Sequence, residues 1–148
     1  MANGVLNGRC HCGNLKAELT TRLSPAQLAL RSCQCSFCSG HRARTTADPQ
    51  GQLRFLVRDE TALSGYQFNL RTAQMLVCRA CGGYIGAFMS DSSDPSRGFG
   101  VANVNWFGRA AEFTQEPARV DYDSESVEAR QARRRKLWTP AVLVVGGG

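Results

Sequence analysis

All seven cysteines of this chain fall at chelate spacings: Cys10-x-Cys12, Cys33-x-Cys35-x-x-Cys38 and Cys78-x-x-Cys81. A disulfide framework needs an even number and an oxidising compartment. Metal binding instead divides seven as four plus three. The outer pairs supply four thiolates, a closed tetrahedron of the kind that holds structural zinc. The middle trio supplies three and leaves one corner open, as in a catalytic site. Three thiolates give zinc much electron density, so a water on it is acidified less than on a three-histidine site. Such an ion is better suited to holding a further thiol as thiolate, at ~2.3 Å and still nucleophilic at neutral pH. Attack of that sulfur on an aldehyde carbonyl gives an S-hydroxyalkyl adduct, and the developing oxyanion needs a positive or hydrogen-bonding partner. His41, Arg42 and Arg44 follow the trio most closely and are the candidates for that role and for gripping substrate carboxylates. Alternatively His41, three residues past Cys38, or His11 closes the trio as a fourth ligand.

These ligands need strands and turns to place them. Leu15, Ala17 and Leu19 alternate with Lys16, Glu18 and Thr20, which predicts a half-buried strand. Leu28 to Cys35 reads as a second strand, with Cys33 and Cys35 on one face and Cys38 returning from the following turn, shaped by Ser36 and Phe37. Residues 39–52 read as loop, Leu53 to Arg58 as strand, and Leu63 to Phe68 as a turn resuming extended structure. Ala73 to Cys78 and Tyr84 to Met89 flank Cys78-x-x-Cys81-Gly82, a zinc-knuckle shape in which glycine supplies positive φ. Phe99 to Phe107 reads as a late strand. Asp123, Glu125 and Glu128 open a helix that Arg133 to Lys136 close, in keeping with the macrodipole, and Pro140 stops it. Residues 1–8 read as a lead-in, and 141–148 as a tail, either edge strand or disordered, after a domain spanning 1–140. His11, Tyr66, Phe88, Phe99, Trp106 and Phe107 read as structural, and the bases from Arg130 to Lys136 as a solvated helix end.

With 148 residues and 43% hydrophobic composition, one domain with a real core is expected. The formal charge is +6 and the sequence pI about 9.2. Seven bound thiolates subtract seven charges and two zinc ions return four, leaving +3, so basicity alone argues little for nucleic acid. No basic start followed by an apolar stretch marks a signal peptide, and the apolar run Ala141–Val145 is too short to cross a bilayer. A reducing, cytoplasmic setting is the expectation.

The three cysteine elements, in order, resemble the glutathione-dependent formaldehyde-activating enzyme family, a domain shared with centromere protein V. Gly8-Arg-Cys10-His-Cys12-Gly13, Cys33-Gln-Cys35-Ser36-Phe-Cys38 and Cys78-Arg-Ala-Cys81-Gly82 match that pattern over roughly Gly8 to Phe107. The resemblance implies a mainly β, zinc-stapled single domain: small antiparallel sheets around two zinc sites, with a short C-terminal helix. It assigns Cys10, Cys12, Cys78 and Cys81 to a structural zinc, and Cys33, Cys35 and Cys38 to a zinc that meets substrate. It implies a carbon–sulfur lyase joining glutathione, or another small thiol, to a small aldehyde such as formaldehyde. One departure stands out: family members usually carry a basic residue directly after the trio, where Ser39-Gly40 stand here. The expected partners are thus a thiol and an aldehyde rather than a membrane or nucleic acid, with a homo-oligomer left open. The competing expectation is a non-catalytic zinc-binding interaction module. A redox sensor that releases zinc on oxidation is a third.

Overall fold

The structure, a computed structural model, describes residues 4–67, 72–91, 93–122 and 124–146. The expectations for Phe68, Asp123 and the ends of the chain at 1–3 and 147–148 lie outside the described residues. Alternation makes the first strands. In β1 (Gly4–Arg9) and β2 (Leu15–Thr21), Leu6 and Gly8, then Leu15, Ala17, Leu19 and Thr21, are buried while Lys16 is exposed. Residues 4–9 are therefore a paired strand and not a lead-in. Gly8 has a reason to lack a side chain, since an added Cβ would stand 2.5 Å from the Phe107 ring.

The chain continues through β3 (Ala29–Cys33), α1 (Ser36–His41), β4 (Thr45–Ala47), β5 (Gln52–Val57), β6 (Leu63–Tyr66), β7 (Gln74–Cys78), β8 (Tyr84–Ser90) and β9 (Arg97–Asn103). β10 (Ala118–Val120), α2 (Val127–Leu137) and β11 (Thr139–Val145) complete the described elements. The segment expected as loop over 39–52 thus holds the end of a helix and a strand. The late strand stops at Asn103, whose side chain accepts from the backbone N–H of Asn105 and opens a 3-10 turn over Val104–Trp106.

Among the described residues, eleven strands join in one mainly antiparallel sheet, where two small sheets were expected. β9 is its branch point. β8 runs along one edge of β9; on the other edge β11 pairs with the first half and β4 with the second. From β11 the sheet continues through β5 and β2 to β1, from β4 through β3 to β10, and from β8 through β7 to β6. The expected tail is therefore corrected: residues 139–145 are a strand of the sheet, 141–145 parallel to β5 and 139–142 antiparallel to β9. The run Ala141-Val-Leu-Val-Val suits a strand, because β-branched side chains fit a pleated, half-buried surface.

Leu15, Leu19, Leu53, Phe55, Ile85, Phe88, Val104 and Phe107 form the main core. Phe55 lies over β8 and β9, where Gly86 and Gly100 leave its ring room: an added Cβ would meet it at 2.9 and 2.8 Å. The opposite face of these strands, with Ala87, Met89 and Val101, packs against Trp138 at the end of α2. β8 is consequently buried on both faces. No helix among the described residues is long and apolar enough to cross a membrane.

Candidate metal centres and the cleft beside them

Two turns of matching design build the first centre. Cys10 to Cys12 and Cys78 to Cys81 each follow a strand, and each pair is followed by a glycine in the left-handed region, Gly13 at φ 85° and Gly82 at φ 81°. That conformation folds each turn back, with Gly13 N–H donating to the Cys10 carbonyl at 3.0 Å and Gly82 N–H to the Cys78 carbonyl at 2.8 Å. The Leu15 N–H points at Cys10 Sγ, 3.2 Å away. All four sulfurs lie within 4.8 Å of one another. A tetrahedral zinc with bonds of about 2.3 Å needs sulfurs about 3.8 Å apart. Cys10 and Cys12 are 3.8 Å apart, Cys12 and Cys78 3.6 Å. The donor set fits a thiolate-bound ion.

Protonation points the same way. Burial pushes the Cys10 thiol up and that of Cys78 up to about 11. Burial also opposes ionisation of Cys81, but backbone N–H donors and the Cys10 and Cys78 thiols outweigh it and hold Cys81 down to about 6. A divalent cation lets all four ionise together.

The trio is built differently from its expectation. Cys33 ends β3, Cys35 is the N-cap of α1, and Cys38 lies in its first turn, so a strand end and a helix start share the work. Cys35 Sγ accepts from Cys38 N–H at 3.4 Å, and the three sulfurs lie within 4.8 Å of one another. Hydrogen bonds from Cys33 and Cys38 hold the Cys35 thiol down to about 2, while Cys38 is pushed up by its own bonds to Cys33 and Cys35 and by burial. Among the described residues the sulfurs gather no fourth donor. The His41 ring lies tilted against Phe37 at 4.6 Å and against Tyr84 at 5.4 Å, and His11 is exposed beside the outer cysteines.

The trio opens onto a cleft whose space, open mouth and adjoining solvent included, is about 820 Å³. The expected substrate residues do not line it. Arg42 is the helix stop, at φ 52°, and its carbonyl accepts from Asn105 Nδ2. Arg44 donates from Nε to Asn105 Oδ1 at 2.7 Å and from Nη1 to the Phe113 carbonyl at 3.3 Å. The arginines of the cleft are Arg31 on β3 and Arg130, Arg133 and Arg134 on α2. The basic run expected as a solvated helix end is thus in part a cleft wall. Two signals could have found these residues. Arg31 shares a strand face with Cys33, and Arg130 and Arg134 share a helix stripe with Val127 and Trp138.

Tyr84 was also missed. It begins β8, is 2% exposed, and lines the cleft with its Oη 4.0 Å from Cys38 Sγ and 3.6 Å from Met75 Sδ. Burial first, then the neighbouring cysteines, raise it well above its ordinary value, so it keeps its proton. Tyr66, read as structural, is 49% exposed and stacks on Phe37.

A crystal structure of a Rhodobacter sphaeroides protein, a structural genomics target, is similar to this chain: 31% identical over 77% of this chain and 99% of that one, with a TM-score of 0.52. The chain belongs to that protein's family. No family model and no curated protein matches the chain. The relative is described without an activity, so the kinship carries fold and extent, and the chemistry rests on the site.

Proposed function

We propose that this protein is a two-zinc, cytoplasmic enzyme of the carbon–sulfur lyase type. It joins a small thiol such as glutathione to a small aldehyde such as formaldehyde, or separates them. The observation that carries the reading is the contrast between the centres. Four sulfurs close the first, whereas three sulfurs with no fourth donor among the described residues face a cleft. The cysteine pattern shared with the formaldehyde-activating family supports it.

Cys10, Cys12, Cys78 and Cys81 would hold the structural ion, and Cys33, Cys35 and Cys38 the other. The chemistry a zinc supplies at the trio is to keep an incoming thiol ionised and nucleophilic. The cleft does the rest. Apolar Met75, Ala87 and Val101 exclude water from the space above the trio. In the addition, a sulfur–carbon bond forms, the carbonyl π pair moves onto oxygen, and that oxygen takes the proton the thiol gave up. Tyr84 Oη is the placed hydroxyl donor, since among the described residues its O–H goes to the weak Met75 sulfur and its other contact is the Cys38 sulfur.

Cobalt replacement tests this reading, because sulfur-to-metal bands report a fourth thiolate. Glutathione should change the bands of the trio site, and the protein should speed S-hydroxymethyl adduct formation above the uncatalysed rate. A spectrum that ignores every thiol offered would replace the enzyme with the interaction-module reading.

A further inference from the structure

Four buried side-chain nitrogen or oxygen atoms lack a hydrogen-bond partner among the described residues, and three belong to arginines of the cleft: Arg31 Nη1, Arg130 Nε and Arg134 Nε. Buried polar groups are ordinarily satisfied, and an unpaired buried cation is costlier still. Arg134 is the extreme case, at 6% exposure. Its Nη1 donates to Thr72 Oγ1 at 2.7 Å and its guanidinium stands 4.7 Å over the Trp138 ring. No carboxylate pairs with Arg134 or Arg31 among the described residues. Burial, with Arg133 and Arg130 close by, brings the ionisation of Arg134 down to about 10, so it is still charged at neutral pH.

The available carboxylate is already engaged. Glu125 takes Arg133 through both its oxygens at 3.0–3.1 Å and lies 3.9 Å from Arg130 Nε, whose own Nη2 donates to the Tyr122 carbonyl. Among the described residues no Asp or Glu lines the cleft. Three thiolates on a divalent ion carry one net negative charge and Glu125 another. Set against the four arginines of the cleft, these charges leave a positive excess among the described residues that line it or pair with them, so compensating the metal centre does not account for the arginines.

We propose that Arg31, Arg130 and Arg134 form an oxyanion site on the wall of the cleft, which takes the carboxylate or phosphate of a small ligand whose other end reaches the trio. Guanidinium nitrogens fit both groups. The site is made by α2 and β3, and it stands without the trio being catalytic. If glutathione ligates the trio but no anion binds, this inference alone fails; if anions bind but no thiol does, the enzyme reading alone fails.

The test is calorimetric titration of the metal-loaded protein with inorganic phosphate and, separately, with succinate. One anion per chain should bind, and the tighter probe names the ligand's headgroup. Arg134→Met and Arg130→Ala should each weaken binding about tenfold or more, Arg134→Lys less so. Arg54→Ala, at an exposed ion pair with Glu18 on another part of the sheet, should change nothing. Cys35→Ser should keep anion binding. Circular dichroism confirms that each variant is folded, and Arg134→Lys keeps the test open should Arg134→Met misfold. Absence of saturable binding by either probe, equal binding by wild type and both Arg134 variants, or loss of binding in Cys35→Ser would overturn the proposal.

Discussion

At the residue scale the two sets of sulfurs differ in what they connect. Cys12 and Cys78 meet at 3.6 Å across 66 positions of sequence, so the outer ligands tie β1–β2 to β7–β8. The trio lies within six residues and closes only a short turn. A ligand that joins distant strands adds its binding energy to folding. Cys78→Ser is expected to lower the melting temperature by tens of degrees or abolish the transition, while Cys35→Ser lowers it by a few and loses one metal ion and thiol binding. Thermal melts with metal analysis check this, and equal, severe unfolding of both would make the trio structural too. The sulfurs were legible in the sequence because chelate spacing is local. Arg42 and Arg44 misled because nearness in sequence to a ligand says little about direction. Arg42 stops a helix with its backbone and does not line the cleft, and Arg44 bonds Asn105.

Among the elements, α2 carries the greatest tension. Its inward stripe holds Arg130 and Arg134 where a surface helix would place apolar residues. What steadies it is Ser126, whose Oγ accepts from Ala129 N–H, and Glu125 on Arg133. Hydrogen bonds from Arg133 hold the Glu125 carboxyl below its ordinary value. A depressed folded-state value contributes stability that is present above the unfolded value, ordinarily near 4.5, and is lost as pH falls through the folded one. Glu125→Gln should therefore melt about 2–5 °C below wild type at pH 7, with the gap closing in acid. It should also bind inorganic phosphate several-fold more tightly, because Arg133 is released. Melting curves across pH and the same titration decide this; a gap that persists in strong acid, below the folded value, would separate the ion pair from helix stability. The ends of α2 were legible through its charges. Its buried face was not, since arginine ordinarily marks the solvent side.

For the whole molecule, alternation in β2 announced a strand and short apolar runs announced others, but which strands become neighbours was set by pairings remote in sequence. The position of β11 is the plainest case. Nothing local distinguishes Ala141–Val145 as a tail from the same residues as an interior strand; only the facing edges of β5 and β9 do. Val142→Pro should consequently disrupt far more than one strand, because proline removes a ladder donor and clashes inside a sheet. Hydrogen exchange is the check: amides of β5 and β9 should lose protection together. Loss confined to β11 would show that the two halves hold without it.

Time is where that placement tells. Leu53 and Ala141 are partners across most of the chain, and pairings of such separation form late. Until residues 139–145 dock, β5 and β9 each offer a bare strand edge, and bare edges recruit other chains. A nascent molecule is thus in a race between docking its own strand and capturing a stranger's. Crowded, fast synthesis favours the stranger, so the soluble yield of this protein should rise when it is made slowly and in the cold.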